Sequence, residues 1–464
     1  MAQSAERHGR FLSDSLAVRH KYMTETSIPA LIGALSVPTI ISMMVTNLYN
    51  MADTFFVGRI STQATAAVGV VLPVMNIIQA VGFFCGHGSG NYLSRKLGAG
   101  ETREAEEMAA TGFTLAFLLG TGILLAGLLK SEALSYALGA TRTIIRDTQN
   151  YMRIILYAAP LMTSQIVVNN QLRYQGSAVY AMAGLVSGAV LNIALDPLFI
   201  FVFGMGVAGA AWATTLSQCV SFCILLFGST RGPNLHLRPK NIRMNAHYLL
   251  EIVNGGSPSL FRNGLMSLST VMLNHMAGTL GGDAAIAGMS VVNRVMLFAN
   301  SALIGFGQGF QPVCSYNYGA GLHGRVKDAY KFCVRYGTLF LVFVAILSSA
   351  CADSIIRFFR SDPKVIAIGG FALHWQMATL PLNASFTLSN MLLQSIGKGG
   401  RATVIASARS GLFFIPSLLI LSRLFGLFGV QIAQPCADIC AFLLAIPLTW
   451  SVWRGMNDVK SMVC

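Results

Sequence analysis

Charge is what this 464-residue sequence has least of. Only 11% of its residues are Asp, Glu, Lys or Arg, against 54% hydrophobic, where soluble domains carry roughly 25% charged residues. A water-soluble fold must still cover its surface with polar groups, so the shortfall excludes one large soluble core. Acids are scarcer than bases, 18 against 32, for a formal net charge of +14. The charges sit in short segments between apolar runs. That is a pattern of membrane topology and lipid headgroup contact, and no nucleic-acid partner is expected. The nine cysteines form no CxxC pair. Cys219/Cys223 and Cys436/Cys440 lie one helical turn apart in apolar runs and read as small apolar helix residues. No HExxH, GxSxG, Walker A or paired zinc motif is present, so neither a catalytic centre nor a bound cofactor is expected. Gly86-His87-Gly88-Ser89-Gly90 lacks the preceding strand and the lysine of a phosphate loop; small residues at that spacing let helices approach closely. The polar N-terminal stretch carries no cleavable signal pattern.

Apolar runs, by contrast, are abundant. A spanning helix needs about 20 mostly apolar residues. That window predicts an all-α, polytopic membrane protein with twelve spans near 28–57, 64–92, 105–129, 148–172, 178–203, 207–229, 247–279, 284–313, 329–352, 367–394, 402–425 and 429–453. The expected organisation is an N-terminal tail over 1–27, an N-lobe over 28–230, a polar linker over 231–246 and a C-lobe over 247–464. Lys and Arg fall about two to one on the side holding the tail, the linker and segments around Arg7, Arg10, Arg95, Arg173, Arg325 and Lys460. Both termini are therefore expected in the cytoplasm, in a plasma (inner) membrane. The halves repeat: Gly86, Gly88 and Gly90 match Gly305, Gly307 and Gly309, and Gly98-Ala99-Gly100 matches Gly319-Ala320-Gly321. Each half has an even number of spans, so both enter the membrane the same way round. The expected relation is a pseudo-twofold axis along the membrane normal, with a cavity between six-helix lobes. A monomer suffices for that plan.

Only Asp53, Asp196 and Asp438 fall well inside predicted spans. A carboxylate at the bilayer centre costs about 2.5–3.5 kcal/mol on insertion scales, so each is a functional candidate by default. Asp53, Asp196 and Thr214 all lie roughly 8–12 Å below the outer boundary at 1.5 Å per residue. Asn192, one turn from Asp196, should share its face. By the repeat, Asp53 falls opposite about Leu273 and Asp196 opposite about Ser417, so neither acid is needed to fold a half. Asp438 falls opposite about Thr215, and structural and functional readings both stand for it. Arg262, Arg294 and Arg409 also enter spans, where a snorkelling or carbonyl-paired role is expected. Pro38, Pro160, Pro258 and Pro381 should kink their spans. Pro38 shares a helix with Asp53, so a bend there could couple its charge state to helix shape.

These residues resemble those of the multidrug and toxic compound extrusion (MATE) transporters. The first span carries Pro38, Asn47-Leu48-Tyr49-Asn50-Met51-Ala52-Asp53 and Gly58. Leu191-Asn192-Ile193-Ala194-Leu195-Asp196-Pro197 resembles the family's fifth span, and Gly206 to Thr214 its sixth. Gly307-Gln308-Gly309-Phe310-Gln311-Pro312, Tyr316-Asn317-Tyr318-Gly319-Ala320 and Gln434-Pro435-Cys436-Ala437-Asp438 are similar to the MepA-like branch. The resemblance implies export of cationic, amphipathic small molecules driven by H⁺ or Na⁺. It carries cation-site roles to Asp53, Asn192, Asp196 and Thr214, less securely to Asn169, with Gln308 and Asp438 as secondary candidates. If the ion is Na⁺, Asp53, Asn192, Asp196 and Thr214 would ligate it. The acids of the NorM branch in spans seven and ten have no counterpart here. The rival readings are a lipid-linked precursor flippase, which should show a more cationic central cavity, then an ion channel or a membrane enzyme.

Overall fold

The computed structural model describes residues 16–232 and 234–461. Arg7 and Arg10 of the expected tail, and the side chain of Lys460, lie outside the described residues. The described chain forms helices without a strand. A short α1 over 16–25 leads into α2 Ile28–Gly58, α3 Thr62–Gly98, α4 Thr102–Leu129, α5 Ser131–Ala137, α6 Ile145–Tyr174, α7 Ala178–Pro197 and α8 Gly206–Ser229. The second half holds α9 Ala246–Gly319, α10 His323–Ala350, α11 Ala352–Phe359, α12 Pro363–Thr379, α13 Leu382–Ser395, α14 Gly399–Ser407, α15 Phe414–Phe425 and α16 Leu427–Ser461.

Ten of these helical segments are long and apolar enough to cross a membrane, and α12 with α13 makes an eleventh span bent by 55°. The bend falls at Pro381, whose missing N–H breaks the ladder. At 74 residues α9 would run about 111 Å if straight, far beyond a bilayer of about 40–45 Å. Instead it folds back at Gly282, whose φ of 64° only glycine adopts freely. Leu273 and Ala277 before the break share one apolar core with Ala285 and Met289 after it. Two passes in α9 complete the twelve expected spans. Pro38, Pro160 and Pro258 lie inside helices that continue through them.

The repeat is visible in the backbone. Gly100 and Gly321 both have positive φ, at 80° and 74°, as do Gly176 and Gly397 at 84° and 80°. The interfacial helices α5 and α11, which no span-length window can detect, begin 221 residues apart. Across the seam, Gly98 presses on the Tyr316 carbonyl while Gly319 presses on the Arg95 carbonyl. That reciprocal contact, with each member displaced by 221 residues, is what a twofold relation between halves requires.

The cores locate the contact between the halves. One core lies wholly in the first half, from Val57 to Ala211. Another lies wholly in the second, from Leu273 to Ala437. The third joins both at the face that bears the linker, where Leu31, Leu35, Tyr92, Ile252, Phe310, Val313 and Leu392 pack together. Arg95 Nη2 bonds Glu251 at 2.9 Å across that seam. The halves are therefore sealed together at the linker face. Helix α1, read from sequence as part of a polar tail, is packed onto this seal. Its Met23 is fully buried, Arg19 donates to Asn234 Oδ1 at 2.8 Å, and His20 bonds the Tyr316 hydroxyl. Burial lowers the Arg19 pKa to about 10. Arg173, assigned from sequence to an inner loop, is instead buried in the last turn of α6 and bonded to Asn170 and to Gln308 of the other half.

Candidate functional site

Helix α2 runs against the second half both at the level of Pro38 and further on, where Asn47 Nδ2 donates to Ser301 Oγ of α9 at 2.6 Å. Thr39 donates to the Gly305 carbonyl of α9 at 2.7 Å. Two to four turns further on, Thr46, Tyr49 and Asp53 fall at i, i+3 and i+7 and face inward to the first half. There a cavity opens between α2, α3, α6, α7 and α8. Thr46, Tyr49, Gln165, Asn169, Asn192 and Thr214 are on its wall.

Four of the expected site residues meet at one end of this cavity. The Asn192 amide nitrogen donates to Asp196 Oδ1 and to Thr214 Oγ1, each at 3.4 Å. Asp196 is wholly buried behind it. Asp53 lies within electrostatic reach of Asp196, and both act on the Tyr49 and Tyr151 hydroxyls. Three buried acceptors here have no donor: Asp53 Oδ1, Asn192 Oδ1 and Asp196 Oδ2. Buried acceptors without partners are costly and rare. Two carboxylates and an amide oxygen with open lone pairs can take up a proton or a small cation, and close carboxylates titrate as a coupled pair. Among the described residues no group of three or more His, Cys, Asp or Glu side chains comes together. Na⁺ would thus have to be held by the two acids together with neutral oxygens.

The other candidates lie elsewhere. Asn169 lines the same cavity, but its amide is bonded to the Ala181 carbonyl at 3.0 Å, and Asn390 makes the same bond to Ala402 in the second half. That repeated bond ties two consecutive spans and is a feature of the half-fold. Pro38 is 15 residues, about 22 Å, from Asp53 along α2. Gln308 sits in the seal with Arg173, remote from the acids in sequence and bonded to neither. Asp438 is in the second half, where its carboxylate accepts from Arg409 Nε at 2.8 Å, Gln434 Nε2 at 2.8 Å and Thr379 Oγ1 at 3.4 Å. Tyr49, Gln165, Ser217 and Gln218, all on the cavity wall, escaped the sequence reading because neutral polar residues cost little in a span. The signal for Tyr49 was its helical spacing from Asp53.

The MatE family model matches this chain twice, over residues 38–198 and 258–419. The chain belongs to the MatE family. The two matches start 220 and end 221 residues apart, the same offset that relates the paired glycines and asparagines. Among similar proteins, the multidrug export protein MepA of Staphylococcus haemolyticus is 29% identical, over 91% of this chain and 93% of its own length. That of Staphylococcus aureus is 28% identical, over 88% and 91%. Two solved structures, one a MATE transporter in complex with MaL6 and one an outward-facing multidrug resistance MATE family transporter, superpose with a TM-score of 0.89 at 25% identity. They cover 95% and 94% of this chain and 99% and 98% of their own. The protein is thus a multi-span membrane protein of the MATE transporter family.

Proposed function

We propose that this protein is an H⁺- or Na⁺-coupled antiporter that exports cationic, amphipathic small molecules by alternating access between its two halves. The observation that carries the reading is the cluster of donor-less oxygens on Asp53, Asn192 and Asp196 beside a cavity walled by α2. Proton or Na⁺ uptake there removes negative charge from the first half and changes what α2 packs against. An organic cation held by the same acids would be released as the ion arrives. The Pro38 region is the natural point for the helix to bend in response, because proline deletes a ladder bond there. The Lys/Arg bias supports a cytoplasmic linker face and cytoplasmic termini, which puts the seal on the inner side. Exchange of one inward H⁺ for one outward monovalent cation is electroneutral, and a second inward charge adds about 2.3 kcal/mol per 100 mV.

The test is efflux of a fluorescent organic cation from proteoliposomes under an imposed pH or Na⁺ gradient. Gradient-driven transport by the wild type and its loss in Asp53→Asn is the expected result. Undiminished transport in Asp53→Asn removes Asp53 from the coupling. Translocation of a lipid-linked anionic precursor has one observation in its favour: Arg173 and Arg262 lie near His87 at the seal, and among the described residues neither bonds a carboxylate. No cation transport under either gradient would favour that reading.

A further inference from the structure

The two halves share a plan, yet the residues in register with the first-half cavity wall differ in the second half. Their register is tight: Asn169–Ala181 and Asn390–Ala402 are offset by 221. Gly209 and Gly429, which press on the backbone at Phe199–Ile200 and at Leu421–Ser422 respectively, are offset by 220. In that register Gln165 falls on Phe386, Gly188 on Arg409, and Asp438 on Ser217 or Gln218. This corrects the sequence reading that set Asp438 opposite Thr215. Gln165, Gly188, Ser217 and Gln218 all line the open cavity of the first half. Their counterparts in the second half are a phenyl ring, a guanidinium and a carboxylate in contact. Arg409 Nε meets Asp438 Oδ1 at 2.8 Å, and the guanidinium carbon stands 5.7 Å from the Phe386 ring centre.

The acids differ in the same sense. Asp196 and Asp53 each keep a buried oxygen without a donor, whereas both oxygens of the fully buried Asp438 are used. A buried carboxylate is tolerated when its partner is fixed and hydrogen-bonded. We propose that Arg409 is a tethered cation that permanently occupies, in the second half, the position that is an exchangeable cavity in the first. Asp438 then forms a latent monovalent-cation site of guanidinium shape, closed to solutes by its own side-chain occupant. Arg409 is a positioning residue under this inference: its own guanidinium, and not an exchanging solute, holds Asp438. The inference does not require the first-half acids to be the coupling site, since its readouts lie in the second half.

The test removes the tether and offers the cation back. Arg409→Gly, which installs the residue of Gly188, is purified in lipid nanodiscs and melted with guanidinium or methylguanidinium at millimolar concentration, far below denaturing levels. Choline chloride and NaCl at equal ionic strength serve as controls. The expected result is a melting temperature several degrees below wild type, recovered by either guanidinium ion but not by choline, and not recovered in Arg409→Gly/Asp438→Asn. Absence of recovery by guanidinium in folded Arg409→Gly overturns the proposal, as does equal recovery when Asp438 is Asn. If Arg409→Gly does not fold, Arg409→Gln and Arg409→Lys decide. Lys retains a cation on Asp438 and should melt close to wild type, while neutral Gln should melt several degrees lower. A Gln variant as stable as wild type shows that the charge is unused and also overturns it.

Discussion

Gly305→Ala probes the contact between α2 and α9 at the edge of the seal. A Cβ on Gly305 would stand 2.7 Å from Ile40 Cα and 3.0 Å from Ile40 N, both backbone atoms of α2. Ordinary contact begins at 3.4 Å, so α2 must retreat by about 0.7 Å. Retreat also lengthens the 2.7 Å bond from Thr39 to the Gly305 carbonyl. Overpacking of this kind costs roughly 1–3 kcal/mol. If the halves part here during the transport cycle, the strain is relieved in the open arrangement, and the population of that arrangement rises about 5- to 150-fold. Cys314 reports on it directly, because it is fully buried in the shared core on the sealed side, while Cys351 is exposed at the opposite face. Alkylation of the purified protein, followed peptide by peptide by mass spectrometry, should show the Cys314 rate rising within that range. The rate at Cys351 should stay constant. An unchanged Cys314 rate would refute the argument that this contact holds the closed seal.

Other substitutions separate the seal from the acid site. Thr39→Val removes the donor to Gly305 and should cost about 1 kcal/mol of stability, read as a lower melting temperature. Asn169→Ala and Asn390→Ala each break one bond between consecutive spans and should destabilise by similar amounts, about 1–3 kcal/mol. If Asn169 serves only the half-fold, its variant retains gradient-dependent transport per folded molecule. Met23→Ala opens a void where α1 covers the seal and should cost about 2–5 kcal/mol in a thermal or denaturant melt. Pro38→Ala restores a helical N–H in α2 and should slow turnover while leaving substrate affinity within about threefold, measured by transport rate against equilibrium binding.

The sequence made the spans legible because lipid imposes a length and a composition on every crossing helix. It did so less well where protein, and not lipid, supplies the surroundings. Helices α1, α5 and α11 are too short for a spanning window, and α1 is ordered by contacts with residues some 200–300 positions away, such as Asn234 and Tyr316. Arg173 was read as a loop residue because a basic side chain near the end of a span normally snorkels. Here Asn170 and Gln308 bond it under the α1 cap, and no local pattern encodes a partner from the other half. The acid site was legible because a carboxylate in a span is expensive enough to need a reason, and helical rise sets its depth. Asp438 and Arg409 were each marked for the same reason, yet their pairing was hidden. It depends on how α16 packs against the π-helical stretch Ala408–Leu412 between α14 and α15, which only tertiary structure decides.

The central claim is that the first-half acids exchange a coupling ion against the exported cation. Reciprocal flux tests it most directly. Proteoliposomes are given an outward gradient of an organic cation and no ion gradient, and the movement of H⁺, by an internal pH dye, or of Na⁺, by tracer, is recorded. The account predicts ion uptake against the substrate flow in the wild type, and none in Asp53→Asn or Asp196→Asn carrying equal amounts of folded protein. Substrate leaving with no counter-movement of either ion, or counter-movement that persists in both acid variants, would contradict it.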